Sequence, residues 1–297
     1  MYEETISGSA RFTLHHGPEY RAWRAAKLRA HDASATVSPV EIRDPTRLGP
    51  GELCRLRDAL LRDNLVFYVC AGRVGGAELR SLGRQLGLQR LDYHLCADPS
   101  GVATITDGGA QAAGEFIPYT PRALNWHTDG YNLPAERCVR AFMLHCVAKA
   151  QQGGANRFFD HELAYIALRD REPRWIEALS QRDVLTIPGH AAAPDAARPA
   201  VAGAVFSVCR DGGLHMRYTA RKRHVVWKDQ SAVLEAIAFL HELLDDPSGF
   251  GLRYTLQPGE GVVCANVLHS REAYRDDMPL CRRTLLRARY RDSLPVH

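Results

Sequence analysis

The pattern of apolar and polar residues changes along the chain and predicts where regular structure begins. Residues 1–45 are polar and show no clear period, so we expect an irregular N-terminal segment or arm there. Beyond it, leucines recur at helical spacing in GELCRLRDALLRDN, and the apolar run LVFYVC that follows predicts a buried strand. AELRSLGRQLGL then predicts a second amphipathic helix. Residues 46–297 are therefore expected to form a single domain.

The rest of the chain is mostly strand-like, with two helical insertions at 161–170 and 231–246. Apolar runs predict strands at 102–107, 138–148, 156–160, 183–188, 204–209 and 214–219, and in LRYTL, GVVCANVLHS and RRTLLRARY. Strands with inserted helices favour an α+β fold with a mainly β core, built around an antiparallel sheet or barrel. No GxGxxG motif opens a helix, which disfavours a nucleotide-binding Rossmann domain.

Composition narrows the class of protein. With 45% hydrophobic and 24% charged residues the chain is typical of globular proteins. It has no visible signal peptide and no apolar run near the roughly 20 residues that span a bilayer, so we expect a cytoplasmic protein without a membrane partner. The net charge of +4 is not gathered into a long basic tract, which argues against nucleic acid as a partner. Eight cysteines without a CxxC pair predict mostly buried free thiols.

The motif NWHTDG is the first candidate for chemistry. His127 and Asp129 are two positions apart, so in extended backbone both side chains project to the same side and can meet one ion. Such a pair also occurs by chance. GVVCANVLHS is predicted to form one strand over 261–270, with His269 near its end as a candidate third ligand. The alternative is that His269 is a structural histidine, hydrogen-bonded at the end of a core strand. Two histidines and one carboxylate suit oxygen-activating iron(II).

The arginine-rich segment RRTLLRARY adds a binding site for an anion. In a strand, Arg283, Leu285, Arg287 and Arg289 share one face, and the leucines indicate that the strand is internal. A buried arginine is costly unless it meets an anion, and its planar fork matches a carboxylate. Arg283 lies fourteen positions after His269 and is expected to share a pocket with it across a hairpin. Metal ligands beside such an arginine describe a site for a chelating 2-oxo acid.

Together, HTDG, VLHSR and RRTLLRARY resemble the taurine dioxygenase (TauD/TfdA-like) family of iron(II)/2-oxoglutarate-dependent oxygenases. The likeness runs from about Leu60 to Asp292 and includes NLVFYVCAGRVGGAELRSLGRQLG and QQGGANRFFDHELAY. It implies a double-stranded β-helix, a jelly-roll or cupin-like fold with flanking and inserted helices. It also implies a dioxygenase that uses Fe(II), 2-oxoglutarate and O2 and releases succinate and CO2. Within it, His127, Asp129 and His269 match the metal ligands.

The resemblance also implies which residues bind the cosubstrate. Arg283 matches the arginine that binds the distal carboxylate of 2-oxoglutarate. The threonine that often follows the family's Gly-Gly pair is missing here, because Gly153-Gly154 is followed by Ala155 and Asn156. The amide of Asn156 can donate a hydrogen bond in its place. Related halogenases have a small residue where this chain has Asp129, so hydroxylation or a related oxidation is the expected outcome.

The substrate side of the pocket is less defined. Arg287 matches an arginine that binds a substrate anion, which suggests a small molecule carrying a carboxylate, a sulfonate or a similar group. Trp126 and Tyr131 flank the metal pair and either line the substrate pocket or pack in the core. His94 either faces the substrate or is structural. The substrate's identity and the oligomeric state, a homo-oligomer included, stay open.

Three alternatives remain from the sequence. The first is a catalytically silent sensor or scaffold of the same fold that binds a metal or a 2-oxo acid. The second is a hydrolytic zinc enzyme with the same ligands, although it would leave Arg283 without a role. The third is an oxygenase that modifies nucleic acid or protein, for which the chain shows no extended basic groove or added domain.

Overall fold

A computed structural model of the protein describes residues 10–14, 17–33, 37–93, 96–107, 117–189, 199–221, 225–246, 250–277 and 282–294. The α-helices in these ranges are α1 Gly17–Ala33, α2 Pro50–Asp63, α3 Gly76–Gln85, α4 His161–Arg171, α5 Pro173–Leu179 and α6 Ser231–Asp245. Short 3-10 helices lie at Ala10–Phe12, Ile117–Tyr119 and Ala135–Arg137. None of the helices described here combines the length and the apolar character that crossing a bilayer requires.

The strands in the same ranges are β1 Val40–Ile42, β2 Leu65–Cys70, β3 Val102–Thr106, β4 Leu124–His127, β5 Ala141–Ala148, β6 Gln152–Gly153, β7 Asn156–Phe159, β8 Leu185–Ile187, β9 Val201–Gly203, β10 Phe206–Val208, β11 Leu214–Met216, β12 Val226–Trp227, β13 Leu252–Tyr254, β14 Glu260–Cys264, β15 Leu268–Arg271, β16 Tyr274–Arg275 and β17 Thr284–Tyr290. Helices α2, α3, α4 and α6 and most of the longer strands lie where the sequence pattern predicts them.

Two sheets carry most of the fold. A six-stranded sheet has the order β1-β2-β14-β5-β17-β3, and a four-stranded sheet has the order β13-β7-β15-β4. Strand β1 pairs with β2 in parallel, and the other pairings in these two sheets are antiparallel. Smaller sheets are formed by β12-β8-β9, β10-β11 and β16-β6. The predicted mixture of antiparallel sheets and inserted helices is confirmed.

The two large sheets pack against each other through one apolar cluster. It contains Phe67, Phe142 and Val262 from the six-stranded sheet and Phe158 from the four-stranded sheet. The rings of Phe67 and Phe158 meet edge-on with centroids 5.6 Å apart. Side chains alternate along a strand, so the opposite face of the six-stranded sheet packs against α2 and α3 in a second cluster. Burial on both faces explains why these strands are almost continuously apolar.

The predicted single strand over 261–270 is wrong. Strand β14 ends at Cys264 in the six-stranded sheet, and β15 begins at Leu268 in the four-stranded sheet. Between them Asn266 has a φ of 51°, in the left-handed region that asparagine tolerates better than most residues. Asn266 was therefore a turn signal within an otherwise apolar run. The break carries the chain, and with it His269, from one sheet to the other.

The hairpin expected between His269 and Arg283 is also wrong. Strand β15 pairs with β4 and β7, whereas β17 pairs with β5 and β3. His269 and Arg283 therefore belong to opposite walls, and the space between the two sheets brings their side chains together.

The irregular structure expected for the N-terminal segment is wrong over residues 17–33, which form α1. The helix is held on the domain by aromatic packing and by polar contacts. The buried Tyr20 belongs to a hydrophobic cluster with residues of α4, and Trp23 packs against the same cluster. The Tyr20 hydroxyl donates to Asp170 at 2.8 Å, and Arg24 Nε lies 2.6 Å from the same carboxylate. Lys27 is buried, with Nζ 2.6 Å from Asp160 Oδ2 and 2.8 Å from Glu162 Oε2. The buried Lys27 lies among the apolar residues of the docked face, which explains why no clear apolar period marks the helix.

The two carboxylates that form ion pairs with Lys27 lie at the start of α4, directly after β7. Asp160 is the N-cap of this helix and accepts from the backbone N–H of Glu162, as its position before a helical pattern predicts. The side-chain amide of Asn64 donates to Asp160 and to Glu162 at 3.0 and 2.9 Å. Burial alone would raise the pKa of Glu162, but Lys27 lowers it below its ordinary value, so the carboxylate stays ionised. The network is complete without any ligand.

No disulfide joins two cysteines within the described ranges, and Cys70, Cys146, Cys209 and Cys264 are buried, as the sequence predicts for most of the thiols. Cys281 lies outside these ranges.

We predict that Lys27→Met lowers the free energy of unfolding at pH 7 by about 3–5 kcal/mol, because it leaves two buried carboxylates unpaired. The pKa of Glu162 is lowered in the folded protein, so its pairing stabilises fully above its ordinary pKa of 4.5 and is lost as the pH falls below that value. The difference from wild type should therefore shrink below about pH 5. Urea unfolding across this pH range measures both effects.

Arg24→Met is the matched control on the same helix. Its ion pair with Asp170 is about one-third exposed on both sides, so its loss should cost less than about 1 kcal/mol. A Lys27→Met variant no less stable than Arg24→Met would contradict the importance of the buried network.

Candidate metal and oxo-acid site

A pocket opens between the two large sheets. Its lining residues are Ile105, Pro118, Leu124, His127, Asp129, Phe142, Leu144, Asn156, His269, Ser270, Arg271, Arg283, Leu285 and Arg287. All three predicted metal ligands, both predicted cosubstrate residues and Arg287 are among them. We call this space the inter-sheet pocket.

Strand pairing places the two histidines side by side. His127 is the last residue of β4 and lies opposite His269 of β15 in the antiparallel register, with ring centroids 4.2 Å apart. Asp129 follows in the turn after β4, and its Oδ1 lies 3.9 Å from His127 Nε2. One ligand atom from each of the three residues lies within 4.8 Å of the other two. The described residues contain no second group of three potential ligands at this spacing.

Hydrogen bonds to the backbone fix which ring nitrogen of each histidine is available. His127 Nδ1 lies 2.8 Å from the carbonyl oxygen of Asn125, and His269 Nδ1 lies 2.9 Å from that of Val267. A carbonyl only accepts, so each Nδ1 carries the proton and each Nε2 keeps its lone pair. Burial lowers the pKa of His127 to about 3 and lowers that of His269 as well, so both rings are neutral at pH 7. Neutral imidazoles are the form that binds a metal.

The carboxylate of Asp129 completes the donor set. Burial would raise its pKa, but the guanidinium groups of Arg287 and Arg289 lower it below the usual range, so the group is ionised. Its Oδ2 is buried and has no hydrogen-bond partner among the described residues. An ionised, unpaired oxygen in a protein interior is costly unless a cation meets it. Two neutral imidazole nitrogens beside it make this set of residues fit a divalent metal ion.

Arg283 is the second unusual group in the pocket. Its side chain is buried, with 4% of the residue exposed, and the described residues give its guanidinium neither a hydrogen bond nor an ion pair. It lies over the ring of Tyr274 at 5.2 Å. Gly154 makes room for it, because a Cβ at that position would lie 3.3 Å from Arg283 Nε. Burial lowers the pKa of Arg283, which a bound anion would counteract.

Asn156 lies beside Arg283 at the same end of the pocket. It is the first residue of β7, it is buried, and it lines both the inter-sheet pocket and a smaller cavity next to Arg283. The structure therefore brings Asn156 and Arg283 together, as their assignment to one cosubstrate requires.

The face expected for the strand of Arg283 is found in part. Arg283, Leu285 and Arg287 line the pocket, but the fourth residue of that face, Arg289, is not among the lining residues, and its guanidinium is paired with Asp92. Arg287 Nη1 lies 3.6 Å from Asp129 Oδ1, and its Nε is buried without a hydrogen-bond partner among the described residues. Arg287 thus contacts a candidate metal ligand while keeping a donor free.

Sequence reasoning missed Arg271, which lines the pocket two positions after His269. Its guanidinium donates to the carbonyl oxygens of Pro118 and Thr120 at 3.0 and 2.7 Å, and also to that of Arg122. It holds the segment after residue 116 against β15. Burial, together with the charge of Arg283, lowers the pKa of Arg271 to about 10, so it is still positive at neutral pH. The only signal was its place in the VLHSR motif.

The two flanking aromatic residues differ in their surroundings. Trp126 points away from the pocket into a hydrophobic cluster, where the guanidinium of Arg157 lies 5.0 Å above its ring. The ring of Tyr131 meets that of His127 edge-on at 6.3 Å, and its hydroxyl lies 3.4 Å from Arg221 Nη1. Of Trp126 and Tyr131, only Tyr131 has its side chain next to the candidate metal ligands. His94 lies outside the described residues.

Comparison with known proteins agrees with this arrangement. The chain is 34% identical over 179 residues to a uridine-5'-phosphate dioxygenase from an Amycolatopsis species, a match that covers 57% of this chain and 61% of that protein. The chain thus spans about three-fifths of the length of this curated relative.

Two solved structures share the fold at low identity. A taurine dioxygenase from Burkholderia xenovorans has a TM-score of 0.56 at 20% identity, over 86% of this chain and 90% of the other. An asparagine oxygenase in complex with Fe(II), 3-hydroxyasparagine and succinate has a TM-score of 0.56 at 15% identity, over 90% of each chain. At this level of identity the likeness concerns the fold alone.

The profile of the family described as "Taurine catabolism dioxygenase TauD, TfdA family" matches residues 26–289, and the match includes every residue of the candidate site. This chain therefore belongs to the TauD, TfdA family.

Proposed function

We propose that the protein is a non-haem iron(II)/2-oxoglutarate-dependent dioxygenase that oxidises a small anionic substrate and releases succinate and CO2. One observation carries this proposal. The inter-sheet pocket contains three metal-ligating atoms within 4.8 Å of one another, and its wall also holds the buried guanidinium of Arg283. A metal site alone would suit a zinc hydrolase, but the arginine requires an anion as well.

In this proposal His127, Asp129 and His269 hold the metal, and Arg283 with Asn156 binds the distal carboxylate of the oxo acid. Iron(II) and 2-oxoglutarate, when bound, supply the activation of O2 that oxidises a C–H bond of the substrate. The planar fork of Arg283 suits a carboxylate, and the carboxamide of Asn156 provides donors beside it. Both groups are buried, so the charged pair would be shielded from water.

The remaining lining residues orient the reactants and exclude water. Phe142, Leu144 and Leu285 form apolar walls from the six-stranded sheet, and the ring of Phe142 lies 4.6 Å from that of His269. The carbonyls of Asn125 and Val267 hold the imidazoles in the tautomer that ligation needs. Groups of the chain alone make these contacts, so they would hold the ligands in the orientation that binding requires.

The balance of charge in the pocket supports an anionic substrate. The described lining residues include three guanidinium groups, on Arg271, Arg283 and Arg287, but only the carboxylate of Asp129. A divalent metal and a doubly charged oxo acid would cancel each other, which leaves an excess of positive charge for the substrate. The name of the curated relative favours a phosphate ester, such as a nucleoside 5'-phosphate. Arg287 and Tyr131 are the proposed substrate contacts; Trp126 packs in the core.

For the fold we propose a double-stranded β-helix. Strands β4, β7, β13 and β15 of one sheet and β5, β14 and β17 of the other follow each other along the chain so that it crosses repeatedly between the sheets. This alternation and the pocket between the sheets support a distorted jelly roll. We propose that residues 46–297 form the single oxygenase domain, and that the segment 1–45 is attached to it through α1 and through β1, which pairs with β2.

We predict that His127→Ala, Asp129→Ala and His269→Ala each weaken binding of Fe(II) by roughly 100-fold or more, since one of three protein ligands is lost. Anaerobic titration of the protein with Fe(II) and 2-oxoglutarate, monitored by the visible charge-transfer band, measures the effect. His145→Gln, a buried histidine outside the pocket, is the control and should keep the band. Wild-type affinity in any of the three variants would contradict the ligand assignment.

Arg283→Ala should weaken 2-oxoglutarate binding on the order of 10- to 100-fold, because a hydrogen-bonded charge pair is lost, while metal binding is retained. The titration of 2-oxoglutarate at saturating metal measures this change. Arg282→Ala removes the neighbouring exposed arginine, which donates to the carbonyl of Asp107, and should leave the affinity unchanged. Equal effects of the two substitutions would rule out a specific role for Arg283.

A substrate screen by succinate release should favour phosphorylated, sulfonated or carboxylated compounds over their neutral analogues. With the substrate it identifies, Arg287→Met should raise KM by roughly 10-fold or more, because a charged hydrogen bond to the substrate is lost. Turnover of neutral compounds only, or an unchanged KM, would contradict an anionic substrate. A wild-type protein that forms the band but releases no succinate with any compound would favour the sensor.

A further inference from the structure

We propose that Asn266 is a positioning residue, which fixes Asp129 relative to His269 and so sets the affinity of the site for its metal. This inference rests on the proposed function, because it concerns the same metal site. Neither the sequence motifs nor the family resemblance pointed to this asparagine. Its side chain is not among those that line the pocket, so its effect would be transmitted through the ligands.

A single side-chain amide holds both backbone polar groups of Asp129. Asn266 Oδ1 accepts from the Asp129 N–H at 2.8 Å, and Asn266 Nδ2 donates to the Asp129 carbonyl oxygen at 2.9 Å. The same nitrogen donates to the Val139 carbonyl oxygen at 2.7 Å. The two bonds to Asp129 span 137 positions of the sequence, and the bond to Val139 spans 127. They clamp both ends of the loop that begins at the candidate ligand Asp129.

The backbone around Asn266 orients the other side of the site. Asn266 lies in the turn between β14 and β15, three positions before His269. The next residue, Val267, provides the carbonyl that accepts from His269 Nδ1 at 2.9 Å. On the other side, the N–H of Ala265 donates to the Asn64 carbonyl at 2.8 Å, which anchors the turn. One turn therefore sets both the tautomer of His269 and the position of Asp129.

Position 266 requires a residue that tolerates a positive φ and whose side chain both donates and accepts hydrogen bonds, and asparagine meets both requirements. Asn266 is 1% exposed, so each of its polar atoms needs a partner inside the protein. Its φ of 51° costs free energy for a residue other than glycine, and such a conformation persists where surrounding contacts impose it. Aspartate would fit the space but lacks the two N–H donors, and glycine would relieve the backbone but lacks the amide. Glutamine is longer by one methylene and would not fit the same three bonds.

Loss of the Asn266 amide should weaken binding of the metal and leave binding of 2-oxoglutarate nearly unchanged. Without the amide, the Asp129 backbone N–H and carbonyl lose their partners, and the carboxylate is no longer held near the imidazoles. Loss of an outer partner of a metal ligand typically weakens metal binding by about 10- to 100-fold. Arg283 and Asn156, which would bind the oxo acid, have no contact with the Asn266 side chain among the bonds described. The affinity for 2-oxoglutarate at saturating metal should therefore change by less than about threefold.

The matched control is Asn64, the other non-glycine residue with a positive φ in the described ranges. It has a φ of 57°, it is buried, and its amide also bonds two groups, Asp160 and Glu162. Those groups belong to the network that docks α1. Asn64→Gly removes this buried side-chain amide but keeps the backbone carbonyl that accepts from the Ala265 N–H, so the anchor of the Asn266 turn is retained. It should lower stability while leaving metal affinity within about twofold of wild type.

The experiment compares the full-length wild type with Asn266→Asp, Asn266→Gly and Asn64→Gly. The Kd for Mn(II), used as a redox-stable probe, is measured by isothermal titration calorimetry, and stability is measured by urea unfolding without metal. We expect both Asn266 variants to bind Mn(II) about 10- to 100-fold more weakly than wild type. Asn64→Gly should match wild type in Kd at a similar loss of stability.

If the folded Asn266 variants bind Mn(II) as tightly as wild type, or no more weakly than Asn64→Gly, the inference is overturned, and the amide serves stability alone. If Asn266→Asp does not fold, Asn266→Gly decides, because glycine suits the backbone of the turn. A wild-type protein that binds no Mn(II) would instead overturn the proposed metal site, so the two failures are distinct.

Discussion

An ionised carboxylate buried between two sheets has to be balanced by other groups, and Asp129 imposes this constraint on the pocket around it. The nearby guanidinium groups keep the carboxylate ionised, but its Oδ2 has no hydrogen-bond partner among the described residues. The two imidazoles beside it are neutral because burial disfavours their charged forms. A cation is therefore the group that this arrangement lacks. The orientation of the histidines and the clamp on the Asp129 backbone both serve to keep that arrangement in place.

The protein contains two buried charge clusters, which differ in one respect. Around Lys27, the ammonium group is matched by two carboxylates and a backbone carbonyl, and the Asn64 amide donates to the same two carboxylates. In the inter-sheet pocket, the positive groups outnumber the carboxylate, and the guanidinium of Arg283 contacts the ring of Tyr274 but has no ion pair among the described residues. Removing one partner from the Lys27 cluster would leave a buried charge unpaired, which is costly for the fold. A cluster with an excess of positive charge is suited to binding anionic ligands, because they balance that charge.

The sequence predicted the site better than it predicted the paths between site residues. Spacing placed His127 with Asp129, and period-2 alternation placed Arg283 with Arg287, because both rules act over a few residues. The break at Asn266 was missed because the run from Gly261 to His269 is apolar almost throughout, and burial on either sheet gives the same pattern. Helix α1 was missed since the polar Lys27 lies among the apolar residues of its docked face, which obscures the apolar period. The sequence also left open whether Trp126 lines the pocket or packs in the core, because aromatic residues are common in both places.

The pairing of β4 with β15 has a consequence for how the protein acquires its site during folding. His127 and His269 are neighbours in space but 142 positions apart in the sequence. Contacts over such separations form late, because the entropy of closing a long loop is lost before the contacts compensate for it. Strand β17, with Arg283 just before it, lies between β5 and β3 and comes near the C-terminal end of the described chain. On a growing chain, His127 and Asp129 alone would form a weak and incomplete chelate. High affinity for a metal would then be a property of the fully folded protein, which limits capture of redox-active iron by unfinished chains.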